Sequence, residues 1–104
     1  MRNGNFTITQ ESGSGYIKLT VQGRIDSINA VELEQMLQAV KCDDQTHIVL
    51  NMLMVEYLCS TGIRAILKAY KMVKAAGGKF GIEQPSECVK NVLGLVALDE
   101  MLIV

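Results

Sequence analysis

The stretch LNMLMVEYLCSTGIRAI, Leu50 to Ile66, changes character partway along. Its front half belongs to an apolar, β-rich run, HIVLNML from His47 to Leu53, which reads as a buried strand. After Ser60, the residues Ile63, Ile66, Leu67, Tyr70 and Val73 recur at helical spacing. Arg64, Lys68, Lys71 and Lys74 fall mainly on the other face of that helix. A strand hands over to a helix here, and Cys59, Ser60, Thr61 and Gly62 stand at the junction. Gly77-Gly78 then closes the helix by supplying left-handed backbone without a Cβ clash.

Outward from this unit the same alternation continues. Toward the N-terminus, Phe6 and Ile8, then Tyr16, Ile17, Leu19 and Val21, give two short runs with mostly period-two spacing, separated by the loop Glu11-Ser-Gly-Ser-Gly15. They predict a β-hairpin whose second strand closes at Gly23. Leu33, Met36, Leu37 and Val40 define one face of a first helix over about Ala30 to Lys41, with Asn29 and Glu32 placed as a capping box. Cys42 to Thr46 is a loop. Toward the C-terminus, Lys79 to Glu83 is a short fourth strand, and Pro85-Ser86 opens a third helix carrying Val89, Val92 and Leu93. Leu98 to Val104 suggests a turn and a last strand. The order ββαβαβα predicts an α/β fold with parallel later strands and right-handed crossovers.

Composition narrows the function classes. The chain has 104 residues, enough for one domain over its whole length (1–104), and 49% of them are apolar, enough for a core without staples. The net charge is -1 and no like-charge block occurs, so nothing resembles the basic footprint of a nucleic-acid binder. Cys42, Cys59 and Cys88 are widely spaced, with no CxxC and a single histidine, His47, expected at the surface. That predicts neither a metal site nor a disulfide framework, and suits a reducing compartment. MRNGNFTITQ lacks a signal peptide's apolar stretch, and no run approaches the ~20 apolar residues of a membrane helix. The expectation is a cytoplasmic protein that does not insert into a membrane. Most of the methionines, among them Met36, Met52, Met54 and Met72, fit core positions, with adaptable contacts conceivable at Met52 and Met54.

Two readings of the junction follow from residue chemistry. Ser60 suits an N-cap, since its oxygen accepts from a free first-turn N–H, with Thr61 assisting and Gly62 allowing close packing. Alternatively the junction is a phosphate site, because ligands sit at strand ends in open α/β sheets and a helix N-terminus favours anions. GxxxxGK[ST] and GxGxxG are both absent and Lys68 comes too late for a Walker loop, which leaves a covalent phosphate on Ser60 or Thr61. Cys59 reads either as a small residue filling the strand end or as a thiol activated by the helix terminus. No catalytic base accompanies it.

The junction also resembles the STAS domain family of the bacterial anti-sigma-factor antagonist type, in which such a strand runs into S-[STA]-G-[LI] and a helix. Gly23-Arg-Ile-Asp26 with Asn29-Ala-Val-Glu-Leu33 is similar to that family's entry to the first helix. Gly77-Gly78-Lys79-Phe80 is similar to its turn into the fourth strand, and Pro85-Ser86-Glu87, Val92-Leu93 and Leu98-Asp99 to its closing helix and tail. The resemblance implies a STAS fold: a small mixed sheet from the hairpin and βα units, with helices packed against it. It also implies a switch protein and not an enzyme, without a cofactor. The partner would be an anti-sigma factor that is also a serine kinase; binding it frees a sigma factor, phosphorylation of Ser60 ends the binding, and a phosphatase restores it. Asp26, Cys59, Ser60, Thr61, Gly62 and Arg64 would meet the partner. In the family an acid at the position of Asp26 lies near the phosphoserine; a turn residue bonding its own backbone is the other reading of Asp26. The chain departs from the family where Cys59 and Asn51 replace acidic residues, changes expected to remove negative charge near the site. The alternative within the family is a constitutive STAS subunit of a bacterial lipid-transport ATPase. Outside it stands a thiol enzyme using Cys59.

Overall fold

The computed structural model describes residues 6–41 and 43–95. Seven elements follow in order: β1 (Phe6–Gly13), β2 (Tyr16–Ile25), α1 (Asn29–Gln38), β3 (His47–Leu58), α2 (Ser60–Ala75), β4 (Lys79–Glu83) and α3 (Glu87–Leu95). They form one mixed sheet in the order β1-β2-β3-β4, antiparallel between β1 and β2 and parallel thereafter. The expected order and pairing are met, and β4 keeps its expected bounds. Cys42 and the expected turn and strand at Leu98 to Val104 lie outside the described residues.

Four boundaries differ, the ends of β2 and β3 because each strand pairs with the other and the remaining two for local reasons. The hairpin is tighter than predicted: β1 runs through Gly13, which pairs with Tyr16, leaving only Ser14 and Gly15 as the turn. Gly23 does not close β2. It sits at φ 100 where the register against β3 shifts, and the strand continues to Ile25. The extra residues of these bulge-like shifts lie on β3, and Gly23 opposite them takes its positive φ without strain. The longer β2 gives β3 partners as far as Leu58, well past the predicted end at Leu53. The bulges also break the alternation there, so the buried residues Met52, Val55 and Leu58 come every third position. The fourth difference is in α1, which stops at Gln38, where the Val40 N–H bonds Leu37 O in a tighter turn.

The start of α1 is not the predicted capping box. Asp26 Oδ1 accepts from the N–H groups of Ile28 at 3.1 Å and Asn29 at 2.8 Å. Asn29 is buried and its Nδ2 donates to Arg24 O at 2.9 Å, so its side chain faces the end of β2 and not the helix terminus. The other end of α2 matches its prediction. Gly77, at φ 87, donates to Lys74 O at 3.0 Å, and Gly78 N–H donates to Val73 O at 2.9 Å. These two bonds are a Schellman closure. Ser86 Oγ accepts from Val89 N–H at 3.2 Å and caps α3.

Both crossovers step the same way along the sheet, so right-handedness puts α1 and α2 on one face. There Leu19, Val21, Ile25, Ile48, Leu50 and Leu58 meet Leu33, Leu37, Ile66, Ala69 and Val73, with Val89 and Leu93 of α3 completing the cluster. Each fully buried side chain of this size contributes about 1.5–3 kcal/mol. Tyr70 and Phe80 add an edge-to-face contact, centroids 5.9 Å apart. The opposite face carries polar pairs: Thr7 Oγ1 to Gln22 Oε1 at 3.4 Å and Lys18 Nζ to Glu83 Oε2 at 2.7 Å. Of the named methionines, Met52 is buried, Met36 and Met72 are half-buried, and Met54 is 59% exposed, off the core where the register shift turns it outward. No helix among the described residues is long and apolar enough to cross a membrane.

Candidate functional site

The junction is built by the parallel ends of β2 and β3. Ile25 pairs with Leu58, and the Cys59 N–H extends the ladder by one bond to Ile25 O at 3.0 Å. Cys59 keeps extended backbone, φ -88 and ψ 173, while its carbonyl accepts the first helical bond, from Ile63 N–H at 3.0 Å. The N-cap of α2 is therefore Cys59 and not Ser60, and no side chain caps the helix. The ladder bond to Ile25 decides this, because it holds Cys59 extended and lets helical geometry start one residue later. Ser60 is the first helical residue and is exposed. Its hydroxyl stands beside first-turn N–H groups that no cap oxygen occupies, at the positive end of the helix dipole.

Gly62 seats this helix end. A Cβ there would lie 2.7 Å from Ile25 Cγ2 and 2.8 Å from Leu58 Cδ1. Thr61 and Cys59 are half-buried, and Arg64 is exposed one turn further on. Asp26 follows Ile25 directly. Its Oδ1 holds the loop into α1, which matches the turn-residue reading, and its backbone O accepts from Ala30 N–H at 2.8 Å. Asp26 and residues 59–62 thus share one end of the sheet. The described part of the chain also places Arg24 there, its guanidinium 4.4 Å over the Tyr57 ring. Ile28 and Val31, in and after the Asp26 loop, are 72% and 51% exposed. These four were not singled out in sequence. The one available signal was that Ile28 and Val31 fall off the Leu33, Leu37 stripe.

Asn51 is not part of this constellation. It lies in the first half of β3, where its Nδ2 donates to Glu83 Oε2 at 3.4 Å and Gln84 Oε1 at 3.2 Å, and its Oδ1 accepts from Leu53 N–H at 3.1 Å. It ties down the point where β4 leaves the sheet, at Gln84 with φ 48. The bulged run after Asn51 carries β3 well beyond β4, which removes Asn51 from the junction. His47 is half-buried at the far end of β3, beside an open cleft lined by Gly13, Tyr16, Asp43 and Thr46. Cys88 is half-buried on α3. Among the described residues no three His, Cys, Asp or Glu side chains converge as metal ligands.

Comparison with known proteins adds the following. The profile of the STAS domain matches residues 7–104. The anti-sigma-F factor antagonist RsfB of Mycobacterium tuberculosis is 30% identical over 96 residues, covering 92% of this chain and 78% of that protein. The crystal structure of an anti-sigma factor antagonist from Mycobacterium paratuberculosis superimposes with a TM-score of 0.78 at 24% identity, over 98% of this chain and 87% of that one. SpoIIAA in its unphosphorylated form gives 0.76 at 16% identity, over 93% and 86%. The phosphorylated form of the Bacillus cell fate determinant SpoIIAA gives 0.73 at 15%, over 93% and 89%.

Proposed function

Since the chain belongs to the STAS domain family, we propose that it is an anti-sigma-factor antagonist that works by partner switching and not by catalysis. The similarity to RsfB along nearly the whole chain carries this reading, and it favours switching over a constitutive transporter subunit. The exposed, uncapped start of α2 supplies a mechanism. The unphosphorylated protein offers the Asp26 loop, Cys59, Ser60, Thr61, Gly62 and Arg64 to an anti-sigma factor that is also a serine kinase, and the sigma factor leaves. The kinase then transfers the γ-phosphoryl group of ATP to Ser60 Oγ; ADP departs and the hydroxyl proton is lost. A phosphatase reverses the modification. SpoIIAA, a protein of this fold, exists in both forms.

The energetics suit a switch without refolding. A phosphate brings roughly -1.5 to -2 charges, and a helix N-terminus accommodates it with about 0.3–1 kcal/mol of dipole stabilisation. If the same dianion costs the interface ~3 kcal/mol, affinity falls roughly a hundredfold. The test is intact-protein mass spectrometry after incubation with ATP and the anti-sigma factor recovered with this chain. One phosphate is expected, absent in Ser60→Ala, and Ser60→Asp should bind that factor more weakly while its circular dichroism stays unchanged. No mass shift with a kinase active on another substrate would overturn the phosphoswitch, and full binding by Ser60→Asp would count against it.

A further inference from the structure

β2 and β3 run parallel and each feeds its own helix, so α1 and α2 lie side by side and start at the same end of the sheet. Lys68 Nζ pairs with Glu34 Oε2 at 3.2 Å and joins the two helices. One turn toward the N-terminus on each, Val31 comes roughly level with Arg64; one more turn brings Ile28 toward Ser60. Arg64 is exposed, and among the described residues it has no ionic partner, unlike Lys68. Ser60 and Arg64 are spaced i, i+4 on one helical face. Helical side chains lean toward the N-terminus, so Arg64 reaches back over the turn that starts at Ser60.

We infer that Arg64 is the contact that changes hands in the switch. In the unphosphorylated protein it pairs with a carboxylate of the anti-sigma factor, next to an apolar partner side chain seated on Ile28 and Val31. A phosphate on Ser60 takes Arg64 over as an intrahelical pair. This rests on the function proposed above. Charge and composition point to a protein segment as the occupant: two exposed apolar residues beside one unpaired guanidinium suit an apolar side chain followed by an acid. Lys68, one turn further along α2, is already matched by Glu34, and the chain carries a net charge of -1. A polyanion would need a broader cationic surface. Phosphorylation then acts twice on the same carboxylate, by placing a dianion near it and by withdrawing the guanidinium that faced it.

The experiment uses the full chain with phosphoserine genetically encoded at position 60, so no kinase is required. Phosphorus NMR follows the second ionisation of the phosphate with Arg64 present and in Arg64→Gln. The arginine should lower that titration by about 0.2–0.4 pH units at low salt, and the difference should shrink at about 0.5 M salt. Superimposable curves would overturn the capture. In the unphosphorylated protein, Arg64→Gln should weaken binding to the co-purified anti-sigma factor roughly tenfold, with Arg64→Lys recovering part of it. Phosphorylation should then cost the Arg64→Gln variant correspondingly less than it costs the native chain. Equal binding by Arg64→Gln would overturn the exchange. Failure of the native chain to bind any anti-sigma factor would count against the proposed function, while the NMR titration still decides the capture by itself.

Discussion

Gly62 shows how one missing side chain positions the junction. The two groups a Cβ would meet, Ile25 Cγ2 and Leu58 Cδ1, belong to buried core residues with no free space to enter. Alanine is the better helix former by about 1 kcal/mol, but overpacking of this kind costs about 1–3 kcal/mol. The clash should win. Gly62→Ala is expected to lose up to about 2 kcal/mol in urea unfolding and to weaken partner binding through a shifted α2 start. Unchanged stability would mean that α2 slides on its seat. Cys59 makes the complementary point. It occupies the N-cap because its N–H is taken by Ile25 O, and the cap position goes to a residue that caps poorly. That leaves Ser60 one step inside the helix with its hydroxyl in solvent.

At the scale of elements, α2 is the part that carries the site, and its two ends are held differently. Its start depends on contacts with the ends of β2 and β3. Its finish is local: the two Schellman bonds need Gly77 at φ 87. An L side chain there costs about 1–2 kcal/mol, and the added Cβ would also come within 3.3 Å of Asp44 Cβ. Gly77→Ala should therefore lower the thermal midpoint by roughly 4–12 °C for a chain of this size. Phosphorylation at the opposite end should be unaffected. A midpoint within a degree of the native one would show that the helix can end by another route.

Across the whole molecule, the sheet divides into an apolar face under the helices and a polar face bearing Lys18 and Glu83. Their 2.7 Å contact spans from β2 to β4 across β3. The hydrogen bond to Glu83 and its charge hold Lys18 above the usual 10.5. Because the folded state binds this proton more tightly, the stabilisation is complete below about pH 10.5 and is lost as pH rises through the folded value. The pair is solvent-accessible, so the effect is small. In urea midpoints, the native chain should exceed Lys18→Met by a constant small margin between about pH 7 and 9, and the margin should close above about 10.5. A margin that persists at higher pH would assign it to packing of the lysine stem.

Much of this protein was already legible in its residues. Helical spacing placed the three helices, alternation placed the hairpin and β4, and the change of period around Cys59–Gly62 marked the strand-to-helix junction. The collinear motifs pointed to the STAS family. These signals are local, and local propensity and periodicity report them directly. Tertiary structure decided the rest. It placed Cys59 rather than Ser60 at the cap, extended β3 to Leu58, moved Asn51 to the exit of β4, turned Asn29 toward Arg24 and left Ile28 and Val31 exposed beside the junction. In the first three cases the deciding interaction joins separate parts of the chain, as with the bond from Cys59 to Ile25, while Asn29 bonds a carbonyl only five residues back and burial of its side chain against the core sets the direction. In the last, the packing of α1 against the core selects which apolar residues stay outside. Such partners exist only once the parallel strands have paired, so no window of sequence around either residue can specify them.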